Sequence, residues 1–113
     1  MQTLKRWQAS AGPLQLSTLR RELEREGMVT AWWSDVPGTR VTEHAHPFAE
    51  TRWVLSGFVR VATREAVYDL GPGDRLDLPA EVSHTIEVVG LAPAVCVTGT
   101  TDRSLLPAAT PAR

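Results

Sequence analysis

Gly38-Thr39-Arg40-Val41-Thr42-Glu43-His44-Ala45-His46-Pro47-Phe48-Ala49-Glu50-Thr51-Arg52-Trp53-Val54-Leu55-Ser56-Gly57 is the stretch on which this 113-residue chain turns. On a strand, successive side chains point to opposite faces, so His44 and His46 face one way and Ala45 the other. Neutral imidazole is the commonest side-chain metal ligand, and the pair therefore offers two convergent nitrogens. Pro47 then bends the chain, and Glu50 can return a carboxylate to the same cavity. If Glu50 points inward, alternation sends Arg52 and Val54 inward as well. Arg52 can there clamp a substrate carboxylate with two N–H donors. A bulge, or a neighbouring acid as partner, would take it out of that role. His84, the third histidine, follows 34 residues after Glu50. Ile86 and Val88 share its face and would supply apolar pocket wall. Three imidazoles and one carboxylate suit Fe, Mn, Ni, Zn or Cu better than Ca or Mg.

Outward from this stretch, short runs rich in Val, Trp, Thr and Leu alternate with Gly and Pro breaks from Val29 onward, the pattern of many short strands. Strands are expected at Val29 to Ser34, Arg52 to Ser56, Phe58 to Thr63, Ala66 to Leu70, Arg75 to Leu78, Thr85 to Val89 and Ala94 to Thr100. Such spacing predicts an all-β sandwich or barrel rather than alternating β and α units. Gly71-Pro72-Gly73-Asp74 reads as a turn, not a phosphate cradle, because no helix follows it. Before the strands, Ser17 to Glu26 reads as a short helix with Ser17 as N-cap, a Leu16/Leu19/Leu23 stripe and Gly27 as its stop. The expected organisation is an N-terminal segment over 1–28, one β domain over 29–102 and a flexible tail over 103–113. Trp32, Trp33 and Trp53 read as core or dimer contacts, and of the adjacent Trp32 and Trp33 at most one lines the interior. Cys96, between Val95 and Val97, reads as a buried thiol. Phe58, Tyr68, Leu76 and Leu78 read as ordinary strand packing.

Composition narrows the function classes. Twelve basic and 13 acidic residues leave a net charge of -1 without a clustered basic surface, so nucleic acid is not an expected partner. No apolar run approaches the ~20 residues of a membrane span, and no secretory signal follows Met1. A single cysteine excludes an internal disulfide and points to the cytoplasm. The absence of Asn and the many prolines are compatible with a thermophilic source, as is GC-rich coding. A chain of this length buries roughly 65% of its unfolded surface and needs no metal merely to have a core.

The spacing from Gly38 through His44, His46 and Glu50 to Gly57 resembles the first motif of the cupin superfamily. Gly73, Pro79 and His84 resemble the second, with Glu81 where the family usually has Gly and Val88 where it usually has Asn. The resemblance covers roughly Val29 to Thr100. It implies a jelly-roll β-barrel with one divalent transition metal per chain, held in the barrel mouth by His44, His46, Glu50 and His84. It also implies a small-molecule ligand or substrate and a homodimer. A structural zinc site is usually closed and rich in cysteine, whereas this ligand set is open and thiolate-free. The expected function is a metalloenzyme, with dioxygenase-like chemistry on a small organic acid ahead of decarboxylase or isomerase chemistry. In it Glu50 is either a firm ligand or a detachable base. The alternative is a ligand-binding or sensor module without turnover.

Overall fold

The computed structural model describes residues 2–8 and 12–101; the expected flexible tail lies outside them. In chain order the elements are β1 (Thr3–Lys5), α1 (Leu16–Arg25), β2 (Val29–Asp35), β3 (Arg40–His44), β4 (Glu50–Ser56), β5 (Phe58–Thr63), β6 (Val67–Leu70), β7 (Arg75–Leu78), β8 (His84–Val89) and β9 (Ala94–Thr100). Every strand pair is antiparallel. One sheet runs β1-β7-β4-β9-β2 and the other β3-β8-β5-β6. The strand texture predicted an all-β fold and the family resemblance a jelly roll, and the two antiparallel sheets agree with both. Hydrogen bonds do not join the two sheets into a closed barrel.

The period of two in β4 divides the protein into two cores. Val54 points between the sheets and packs with Val59, Val61, Leu70, Leu76, Ile86, Val88 and Cys96. Trp53, one residue earlier, points outward and packs with Leu19 and Leu23 of α1 and Val97 of β9. Register agrees, since Val54 lies opposite Cys96 and Trp53 opposite Val97. The same alternation separates the adjacent tryptophans of β2. Trp33 sits opposite Cys96 and donates to Thr98 Oγ1 at 3.1 Å, while Trp32 is 54% exposed.

The helix starts at Leu16, and the N-cap is Gln15 with no side-chain bond, so Ser17 does not cap it. Burial explains the shift: Leu16 belongs to the stripe that docks on the outer core, and packing outweighs a capping bond on an exposed end. The C-terminus closes as expected at Gly27, with φ +86°. Gly27 N–H donates to Glu24 O and Met28 N–H to Leu23 O, each at 3.0 Å, which closes the last turn on its carbonyls. Glu26 at that end accepts two bonds of 2.7 Å from the buried Arg75 guanidinium, which also reaches Asp77 at 2.9 Å. This bidentate pair fastens α1 to β7.

β1 went unrecognised in the sequence, and of β3 only the strand read at His44 and His46 was foreseen, which in fact ends at His44. All three residues of β1 are exposed, and β3 is mostly so; neither carries an apolar alternation, and each exists by pairing with β7 or β8. Phe58, expected in the packing, is 54% exposed. It begins β5 immediately after Gly57, whose φ is +77° and where an added Cβ would collide with Pro93 O and Ala94 Cα. The chain must cross there as glycine.

Glu81, at the position where cupins usually carry Gly, has φ +67°. A Cβ in this left-handed conformation costs about 1–2 kcal/mol, part of which glycine's greater unfolded-state freedom offsets. Glu81→Gly should therefore stabilise the protein by about 0.5–1 kcal/mol in chemical denaturation. A loss of stability would show that the glutamate side chain contributes more than its backbone strain costs.

Candidate metal centre

The site lies where β3, β4 and β8 meet. His44, the last residue of β3, pairs directly with His84, the first of β8, across a bulge that follows Val41. That bulge re-aims the strand end. His46 lies beyond β3, in the segment that bends at Pro47 and Phe48. Its convergence with His44 therefore comes from the chain's turn, and not from strand alternation as the sequence suggested. Glu50 opens β4, opposite Leu78 and Thr100.

One ligand atom from each of His44, His46 and His84 lies within 4.8 Å of the others. His44 Nδ1 lies 2.9 Å from Thr42 O, and His84 Nδ1 lies 2.9 Å from Val82 O. A carbonyl can only accept, so each Nδ1 carries the proton and each Nε2 keeps its lone pair. The Nε2 atoms of all three histidines are buried, and none has a hydrogen-bond partner among the described residues. Buried polar atoms are rarely left so, and three converging lone pairs suit a cation that none of them can hydrogen-bond. Burial pushes the His46 pKa down, aided by His44 and Arg52 and opposed by Glu50. Burial likewise lowers that of His84, against the Val82 carbonyl. Both favour the neutral, ligating form.

Glu50 reaches the edge of this cluster, its Oε2 3.6 Å from His46 Nε2 and its Oε1 3.8 Å from Arg52 Nη2. The tight group of ligand atoms is the three histidines; Glu50 adjoins it. Arg52 is 5% exposed on the inner face of β4. Its ion pair with Glu50 is the neighbouring-acid contact that the sequence left open, but at 3.8 Å it is longer than a hydrogen bond. Among the described residues no side-chain hydrogen bond of the guanidinium is seen, so its N–H donors stay available. Ile86 is buried two residues beyond His84 and lies opposite Val41. Val54 and Val88 sit four residues from Glu50 and His84, about 13 Å along their strands, within the inner core. The structure thus gathers the histidines, Glu50 and Arg52, keeps Ile86 beside them, and sets Val54 and Val88 deeper.

Sequence reasoning missed two kinds of supporting group. The carbonyls of Thr42 and Val82 have no side-chain signature, because any residue supplies one. Phe48 stacks on His46, with centroids 4.9 Å apart and planes 15° from parallel, a contact that nothing in the sequence distinguishes from packing.

Jelly-roll topology with clustered histidines at one end of the sheets defines a small cupin. The chain belongs to the cupin-domain family, whose pattern matches residues 31–99. No curated protein matches the chain at a significant level. Among solved structures, KdgF from Halomonas sp. is 18% identical, with a TM-score of 0.62 over 72% of this chain and 76% of that one. A predicted oxalate decarboxylase from Thermotoga maritima is 21% identical, with a TM-score of 0.60 over 71% of each chain. An uncharacterised conserved protein with a double-stranded β-helix domain from Klebsiella pneumoniae is 25% identical, with a TM-score of 0.58 over 66% of each. These likenesses concern the fold. No helix among the described residues is long and apolar enough to cross a membrane.

Proposed function

We propose that this chain is a metal-dependent enzyme acting on a small organic acid, with one divalent transition metal held by His44, His46, His84 and Glu50. The observation that carries this reading is the trio of buried, unpartnered Nε2 atoms beside a buried arginine. A structural site would have little use for Arg52, whereas a substrate carboxylate would satisfy its donors in bidentate fashion. The bound metal supplies Lewis acidity and, for iron, manganese, nickel or copper, redox chemistry.

The chain's own residues do the rest. Thr42 and Val82 hold the protons of His44 and His84 at Nδ1 and so aim their Nε2 lone pairs before any metal arrives. Arg52 orients the acid by its carboxylate. Glu50, between Arg52 and His46, completes the ligand set or accepts a proton from the substrate. Ile86 and Val41, opposite each other on β8 and β3, supply the apolar side of the site. The Thermotoga maritima relative, a predicted oxalate decarboxylase, is named for a small carboxylate and shares this fold. An open, thiolate-free centre favours dioxygenase-like oxidation as the reaction. The expected homodimer would form along the edge strand β2, which carries Trp32 and no charge before Asp35.

The test is to load the protein with iron, manganese, nickel, copper or zinc, offer small mono- and dicarboxylates, and follow oxygen uptake and product mass. Turnover with any of them supports the enzyme. Tight binding of an acid without product by any metal form would favour a sensor. Arg52→Leu keeps the site buried and removes its cation, and two charge-assisted bonds contribute about 3 kcal/mol, or about 100-fold in affinity. That loss is expected for carboxylates and not for neutral analogues. Equal losses for both would remove Arg52 from substrate binding.

A further inference from the structure

The three histidines are not held alike. His44 and His84 sit on paired strands, and each ring is pinned at Nδ1 by a carbonyl two residues back. His46 lies beyond the end of β3, and its Nδ1 has no hydrogen-bond partner among the described residues. Its backbone is anchored, because its carbonyl accepts Glu81 N–H at 2.7 Å. Its ring is another matter. His44 meets it edge-on at 72° and His84 tilted at 56°, so neither covers its face. Phe48 does, nearly parallel at 4.9 Å. Pro47, between them, supplies the bend that brings the two rings together. Phe48 belongs to neither hydrophobic core and is only half-buried, so its aromatic surface rests on a candidate ligand rather than on the packing that holds the sheets.

We propose that Phe48 is the positioning residue of His46: by stacking on the imidazole it fixes the plane of the one ligand that lacks an Nδ1 anchor, and so governs how tightly metal is retained. This rests on the metal-centre reading above. Stacking takes here the place that a hydrogen-bonded carbonyl takes at His44 and His84. Loss of such an orienting partner typically weakens metal binding by about 10-fold or more.

Cobalt(II) is a suitable probe, since chelator competition gives its affinity and its visible absorption reports coordination geometry. Phe48→Ala is expected to weaken cobalt binding about 10-fold and to change the visible bands, while the metal-free protein melts within a few degrees of wild type. Phe48→Trp, which restores a stacking face, is expected to recover affinity and spectrum; Phe48→Leu, which restores only bulk, is not. Wild-type affinity and spectrum in Phe48→Ala would overturn the proposal, as would full rescue by Leu or an unfolded metal-free Phe48→Ala protein. If wild type itself binds no cobalt, the metal centre fails and Phe48 with it. If wild type binds and Phe48→Ala matches it, Phe48 alone fails.

Discussion

His84→Ala should weaken divalent-metal binding by about 100- to 1000-fold. Structural zinc sites bind with roughly 10–16 kcal/mol from about four ligands, or about 2.5–4 kcal/mol for each, and each 1.4 kcal/mol is tenfold. His84 is the best-fixed of the three histidines, 2% exposed, locked by Val82 O and paired with His44 across the ladder. Its removal takes away one Nε2 while the backbone pairing of β3 with β8 remains. Chelator competition on the folded variant measures the effect. Unchanged affinity in a protein with an unchanged circular-dichroism spectrum would place the metal elsewhere.

Trp53→Ala should have the largest effect on stability, about 3–5 kcal/mol, out of the 5–15 kcal/mol usual for a domain. Trp53 fills the outer core between α1 and the sheet, and its indole N–H donates to Gly73 O at 3.1 Å. Trp7 lies 5.7 Å away, and the Arg75 guanidinium lies over the Trp53 ring at 5.2 Å. Truncation would leave that carbonyl without its donor and undock Leu19 and Leu23. Melting is expected to fall on the order of 20 °C. Trp53 faces away from Glu50 and Arg52, so at low temperature the variant should bind metal within about twofold of wild type. A large loss of metal affinity would mean that the two cores are coupled through β4.

Period-two patterning made most of the sheet legible. β5, β7 and β9 fall where their Val, Leu and Gly-bounded runs put them: β5 buries alternate side chains between the layers, whereas β7 and β9 run through the interior of their sheet and are buried on nearly every residue. β1 and residues 40–43 of β3 were not legible, since exposed residues such as Thr3 and Glu43 obey no hydrophobic pattern and are ordered by their partners' hydrogen bonds. Ser17 misled for the opposite reason: its capping chemistry is sound, but the burial of Leu16 and Leu19 sets the helix start.

The same division holds at the candidate site. Spacing singled out His44, His46 and His84, and the structure brings their nitrogens together, although a turn and not a strand delivers His46. Glu50 and Arg52 share the inward face that alternation assigns them. What could not be read was the support: two carbonyls, a stacked phenyl ring and a left-handed Glu81 all arise from chain geometry that no residue type announces. Nor did alternation disclose that Val54 and Val88 lie deeper along their strands than Ile86. Period fixes the face of a side chain but not its depth.

The central claim is that three buried imidazole nitrogens converge on one metal ion. The most direct measurement is metal content per chain, by elemental analysis, of tag-free protein stripped by chelator, reloaded with cobalt or zinc and freed of excess ion. One ion per chain in wild type, falling to near zero when His44, His46 and His84 are all replaced by Ala, is the predicted result. No retained ion in wild type, or one ion retained by the folded triple variant, would contradict it.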